Sequence, residues 1–181
     1  MNVCLIGMPG VGKSTVGVIL AKQLGCDYVD ADLVIQRREK RLLSRIIDED
    51  GIDGFLRKEN EVCTMLADTE DAVIATGGSA VYGREAMERF RENGTVVYLE
   101  ASLPTLQKRL SDLKGRGVVL REGQTLEDLY RERVPLYEQY ADITVNEDGK
   151  DLEETMETVL HALRSDILNT DAGTELSERL V

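Results

Sequence analysis

Four short apolar runs rich in β-branched residues punctuate the chain: "VCLIG" (3–7), "AVIAT" (72–76), "TVVYL" (95–99) and "ITVN" (143–146). A weaker one, "YVD", lies at 28–30. Each is short and apolar at successive positions, which predicts strands covered on both faces, as in a parallel sheet. Between them apolar residues recur at helical spacing, predicting helices over 13–24, 33–49, 54–68, 84–92, 104–111, 125–140 and 151–168. Strands alternating with helices imply an α/β fold with right-handed crossovers. No repeat, low-complexity tract or Pro/Gly/Ser-rich linker interrupts the pattern, so a single domain is expected over 1–168, with a tail at 169–181.

Composition narrows the function classes. No apolar run approaches the roughly 20 residues of a membrane span, and "MNVCLIGMPG" lacks the layout of a signal peptide. Cys4, Cys26 and Cys63 form an odd, widely spaced set, which suggests free thiols and a cytoplasmic location, with Cys4 a core residue. A net charge of −12 argues against nucleic acid or an anionic membrane as partner. An anionic ligand therefore needs a local positive field. Residues 108–133 offer one, with Lys108, Arg109, Lys114, Arg116, Arg121, Arg131 and Arg133 exceeding the acids by two. The segment reads either as a solvated helix face plus loop or as a ligand-binding surface.

The sharpest motif is "GMPGVGKST", which holds G-x-x-x-x-G-K-S from Gly7 to Ser14, directly after an apolar run and at the head of a helical pattern. That is the strand–loop–helix setting of a nucleotide phosphate loop. Gly10, Val11, Gly12 and Thr15 belong to the nucleotide-binding stretch, whose glycines let backbone N–H groups curl around phosphate oxygens. Lys13 would reach the β- and γ-phosphates of ATP, and the Ser14 hydroxyl would ligate Mg²⁺.

Three further stretches fall where strand ends meet a ligand in α/β sheets. In "DAD", Asp30 suits the hydration shell of Mg²⁺. Asp32 suits a group that accepts a hydrogen bond from a substrate hydroxyl and takes its proton, or else merely caps the next helix. In "TGGS" (76–79), Gly77 and Gly78 permit a tight turn and close approach of backbone to a ligand. The loop 112–124 carries Arg116 and Arg121 between glycines and could close over bound nucleotide. Arg133 follows on the next helix as a bidentate anion clamp. Tyr130, Tyr137 and Tyr140 are expected to pack, and His161 is given no role.

Taken together, these residues make the chain resemble the shikimate kinases, of the P-loop nucleoside-monophosphate-kinase-like group, from residue 1 to about 165. "GMPGVGKSTVG" resembles the family's ATP loop and "YVDADLVI" its strand-two motif. "ATGGSAV" resembles its T-G-G-G turn, "VVYLE" its fourth strand and "RVPLYEQYAD" its R-x-P-L-Y-x-x-x-A motif. The resemblance implies a three-layer fold with a five-stranded parallel sheet in the order 2-3-1-4-5, helices on both faces and a mobile lid at about 112–124. It implies a substrate-binding subregion at about 32–62 and a monomer. Arg109 would pack on adenine, Arg116 would act from the lid, and Asp32 and Arg133 would bind the substrate's hydroxyls and carboxylate.

The implied reaction is ATP-dependent phosphorylation of the 3-hydroxyl of shikimate, with Mg²⁺. Catalysis would fall to Lys13, Asp32 and Arg116, metal binding to Ser14 and Asp30, and substrate binding to Asp32, Arg57, Gly77, Gly78 and Arg133. The sequence departs from the family at "GIDGFLRKE", against the usual G-E-x-x-F-R-x-x-E. Gly51, Phe55 and Glu59 match, Ile52 replaces the acid, and Leu56 stands at the arginine position with Arg57 next to it. Arg45, Arg57 and Arg133 are the candidates to compensate. Ser79 replaces the third glycine, and the lid reads "RGVVLREG". Two alternatives therefore stand beside shikimate kinase: a sister kinase of another hydroxylated acid, amino acid or polyol, and a non-catalytic ATP-binding module.

Overall fold

All five apolar runs form strands, and they join one wholly parallel sheet. A computed structural model of the chain describes residues 2–110, 119 and 121–169. The strands are β1 (Asn2–Ile6), β2 (Asp27–Asp30), β3 (Ala72–Ala75), β4 (Gly94–Glu100) and β5 (Ile143–Asn146). Their order is β2-β3-β1-β4-β5. The helices are α1 (Lys13–Leu24), α2 (Ala31–Glu39), α3 (Leu43–Ala67), α4 (Arg84–Asn93), α5 (Leu103–Arg109), α6 (Leu126–Tyr140) and α7 (Leu152–Asn169), with a 3₁₀ turn at Ala80–Tyr82. Most of the expected lid and nearly all of the tail lie outside the described residues.

The chain steps one way across the sheet from β1 to β2 and the other way from β3 to β4. Right-handed crossovers then place α1 and α4 on opposite faces. Accordingly α1 packs with α7 against β2 and β3, while α4 packs with α3 and against β1 and β4. Val3, Leu5, Ile6, Ile74, Val97 and Leu99 are buried in the sheet, which is why these strands read as continuous apolar runs. Cys4 and Cys63 lie in this core, and burial pushes both thiols far above their usual range.

Register aligns the strand ends that matter. Leu5 and Asp30 both pair with Ala75, so the phosphate loop, the "DAD" stretch and the "TGGS" turn leave the sheet at one edge.

The helix expected over 33–49 is not continuous. Asp30 caps α2 by accepting from the Leu33 N–H (3.3 Å), and Lys40, at φ 54°, ends it. The next helix then runs on to Ala67 through a kink at Gly51 (φ 73°, ψ 170°), a conformation open to a residue without Cβ. Arg41 pairs with Glu39, Glu49 and Asp50, and Lys58 pairs with Glu39 and Asp50. These ion pairs tie the α2–α3 turn to the kink. The second half of α3 then packs against α4 and the 3₁₀ turn with Phe55, Glu59, Val62 and Cys63 inward.

Candidate active site

The loop after β1 turns back on itself with Gly7, Gly10 and Gly12 at φ 145°, 79° and 109°. A side chain at Gly10 would collide with Leu110, so the loop's tight course depends on bare backbone there. Lys13, the first residue of α1, is buried and donates from Nζ to the carbonyls of Gly7 (2.7 Å) and Met8 (3.0 Å). Burial lowers its pKa to about 8, against the opposing pull of Asp32. The ammonium is thus held across the mouth of the loop, where the α1 N-terminus adds its own positive end.

Ser14 donates from Oγ to Asp30 Oδ2 (3.1 Å), and Tyr28 donates to the same oxygen (3.2 Å). One carboxylate therefore caps α2 and faces α1. Asp32, in the first turn of α2, points into a cleft of about 430 Å³. Burial, and then the Asp30 charge, raise the Asp32 pKa to about 6, with Lys13 opposing. A carboxylate of this kind is a better proton acceptor than a solvated one.

The far wall of the cleft comes from α3, the "TGGS" turn and α6. Arg133 is only 1% exposed, yet its guanidinium opens to the cleft. Its Nε donates to the Tyr82 hydroxyl (3.2 Å) and its Nη2 to the Val119 carbonyl (3.0 Å), and it lies over the Tyr82 ring at 5.2 Å. Tyr82 in turn donates to Glu132 (2.6 Å). Glu59, also 1% exposed, finds no hydrogen-bond partner for either carboxylate oxygen among the described residues. Burial raises its pKa to about 7. Phe55, one helical turn earlier, and Leu43 supply apolar lining.

A second recess, of about 260 Å³, opens on the other side of the phosphate loop, between Gly10–Gly12, Thr15 and the start of α7. Arg109 lies there, donating from Nη1 to the Val11 carbonyl (3.0 Å) and to Glu147 (2.8 Å). Burial raises the Glu147 pKa and Arg109 opposes that.

The structure brings most of the expected residues together. Gly10, Gly12, Lys13, Ser14, Thr15, Asp32, Gly77, Gly78 and Arg133 line the main cleft, Val11 and Arg109 line the second recess, and Asp30 adjoins through Ser14. Asp32 is not the cap of α2; Asp30 is. Arg57 is not brought to the cleft. It is exposed and lines a separate surface recess with Arg38 and Glu61, because two helical steps of about 100° each turn it to the side opposite the face that carries Phe55 and Glu59. Arg45 is likewise exposed and paired with Glu49. Leu56 packs half-buried against the core. Arg116 lies outside the described residues.

The sequence assigns neither Tyr82 nor Val119 to the acceptor wall, places Glu59 on the acceptor side without a role, and gives Tyr137 only a packing role. For Glu59 the signal was its place four residues after Phe55, which puts both on one face of a helix. For Tyr82 and Val119 no local pattern pointed to the cleft.

The comparisons with known proteins agree in one direction. The family model for shikimate kinase matches residues 9–164. A relative described as shikimate kinase 1, from Salmonella newport, is 36% identical over 167 residues, spanning 91% of this chain and 96% of that one. Among solved structures, a shikimate kinase from Acinetobacter baumannii in complex with shikimate superposes with a TM-score of 0.84 at 31% identity, covering 91% and 93% of the two chains. The shikimate kinase from Aquifex aeolicus superposes with a TM-score of 0.82 at 32% identity, covering 94% and 100%.

Proposed function

Because the chain belongs to the shikimate kinase family, we propose that its main cleft carries out ATP-dependent phosphorylation of shikimate at the ring 3-hydroxyl. The observation that carries the reading is the meeting of Lys13, Asp32 and Arg133 around one cleft, each buried or nearly so and each opening to it. A phosphate loop alone would serve any nucleotide; the opposing wall selects the acceptor.

The triphosphate of ATP is cradled by the loop N–H groups and the α1 N-terminus, and the purine enters the second recess against Arg109. Lys13 exchanges its loop carbonyls for phosphate oxygens and offsets the charge that spreads over them during transfer. The acceptor carboxylate meets Arg133, whose Tyr82 and Val119 contacts hold the guanidinium in place. This orients the ring so that a hydroxyl lies at Asp32. Asp32 takes the hydroxyl proton as the oxygen bonds to the γ-phosphorus and the bond to the β–γ bridging oxygen breaks, leaving ADP. Gly77 and Gly78 keep the acceptor close to the backbone.

Mg²⁺ fits the residues present: Ser14 Oγ and Asp30 Oδ2 are hard oxygen donors 3.1 Å apart at the phosphate loop. When bound, the ion supplies charge compensation to the phosphates. Arg116 would add a guanidinium from the lid, as the family resemblance implies. The acceptor is a small molecule; among the described residues no helix is long and apolar enough to cross a membrane.

The test is ADP release with ATP and Mg²⁺ against shikimate, quinate, homoserine, gluconate and inositol. Turnover with shikimate far above the others is expected. Turnover with another acceptor and none with shikimate would overturn the reading.

A further inference from the structure

Tyr137 stands four residues after Arg133 on α6, so the two side chains leave the same face of the helix. Arg133 opens to the cleft, whereas Tyr137 is fully buried behind it. The Tyr137 hydroxyl donates to the carbonyl oxygen of Gly78 at 2.6 Å. Its ring stacks on Tyr98 of β4, with centroids 5.1 Å apart and planes at 22°. The sheet thus fixes the ring and the ring fixes the hydroxyl.

Gly78 is confined from other sides as well. A Cβ placed on it would come within 2.8 Å of Pro9 in the phosphate loop and 3.1 Å of Arg133 Nη1. The turn therefore touches the donor loop and the acceptor clamp at one residue. In a trans peptide the N–H points opposite to the preceding C=O. Pinning the Gly78 carbonyl toward Tyr137 consequently sets the direction of the Ser79 N–H, in the wall of the cleft on the other edge of the same peptide plane.

We infer that Tyr137 is a positioning residue for the acceptor: by holding the Gly78 carbonyl it aims the Gly78–Ser79 peptide into the cleft, in register with Pro9 and Arg133. The inference rests on the reading of the cleft as the shikimate site. Tyr137 does not touch the acceptor, and its effect is on binding and orientation of the acceptor rather than on the nucleotide.

The adjoining tyrosine provides an internal control. The Tyr98 hydroxyl is buried and has no hydrogen-bond partner among the described residues. Tyr137→Phe and Tyr98→Phe each remove one hydroxyl from the same stacked pair, but only the first frees Gly78. Losing the bond is expected to raise the KM for shikimate about tenfold, with the KM for ATP unchanged within about twofold. Tyr98→Phe should leave both constants at the wild-type values.

An unchanged shikimate KM in Tyr137→Phe would overturn the inference, as would equal losses for shikimate and ATP in step with a lower Tm. Hydrogen exchange of the wild-type protein is the second measurement, and it decides the matter if Tyr137→Phe does not fold. Shikimate should slow exchange of the Gly78 and Ser79 amides, and no slowing there would overturn the inference. Wild-type turnover of shikimate is measured in the same series. Its absence would sink the functional reading itself, an outcome distinct from normal wild-type turnover with an unaffected Tyr137→Phe.

Discussion

Glu59 and Asp32 face each other across Gly77: a Cβ on that glycine would collide with Glu59 Oε1 and lie 2.9 Å from Asp32 Oδ1. Two carboxyl groups on one bare residue, with Lys13 and Arg133 nearby, give the cleft its pH response.

In the proposed reaction Asp32 accepts a proton only when ionised, and its pKa is raised to about 6. Lys13 works only when charged, and its pKa in the free chain is lowered to about 8. The profile of kcat/KM should therefore be bell-shaped, falling below about pH 6 and above about pH 8. Asp32→Asn should lower kcat by roughly 10²–10⁴, with ATP binding retained. Steady-state rates across pH 5–9 check both statements, in buffers of constant ionic strength.

The Glu59 carboxyl is held protonated up to about pH 7, above its ordinary value of 4.5. Between those values the native chain binds a proton that the unfolded chain has lost, so stability falls as pH rises through that window and levels off above it. Glu59→Gln should remove this part of the decline and stabilise the chain at pH 8 by up to about 3 kcal/mol. Urea unfolding midpoints of both proteins at pH 5 and pH 8 provide the comparison; a larger deficit of Gln at pH 8 than at pH 5 would contradict the sign.

Leu56 precedes Glu59 by three residues on the same helix, within reach of a long side chain. Leu56→Arg should give the Glu59 carboxylate a partner and draw its pKa down. The fall of stability between pH 4.5 and 7 would then flatten. Tm measured across that range reports the change, and a curve as steep as wild type would show that the two groups do not meet.

Arg133 and Arg57 make opposite predictions. Arg133→Lys keeps a charge but gives up the guanidinium fork that serves Tyr82 and Val119. The KM for shikimate should rise by about 30-fold or more, the equivalent of roughly 2 kcal/mol or greater. Arg57→Ala, on an exposed face, should leave it unchanged within about twofold. Initial-rate kinetics on the two variants separate them.

Gly51 carries a backbone that residues with Cβ rarely adopt. Gly51→Ala should cost about 1–3 kcal/mol by straining the kink that precedes Phe55 and Glu59 in the cleft wall. A lowered Tm together with a raised shikimate KM is expected, with ATP binding spared.

Much of this protein was legible along the chain. The strands declared themselves because burial on both faces leaves short unbroken apolar runs, and the phosphate loop because its glycines, lysine and serine act through local geometry. "DAD" and "TGGS" could be placed at one edge because parallel strands of similar length end together. The helix expected over 33–49 was wrong in its bounds: Lys40 ends its first part, and the next helix starts at Leu43 and runs past 49 through the Gly51 kink, both by backbone angles that hydrophobic spacing does not record.

The sequence by itself therefore determined the sheet, the phosphate-loop motif and the presence of Asp32, since each follows from residues near one another in the chain. Only the tertiary structure decided the wall of the cleft proposed for the acceptor. It turned Arg57 outward, buried Glu59 with no hydrogen-bond partner among the described residues and set Arg133 between Tyr82 and Val119. It also brought the Tyr137 hydroxyl to Gly78, 59 residues away in sequence. The physical reason is that each of these depends on the rotation at which α3 and α6 pack against α4 and the 3₁₀ turn. A single residue step changes that angle by about 100°, and it is fixed by packing between distant segments.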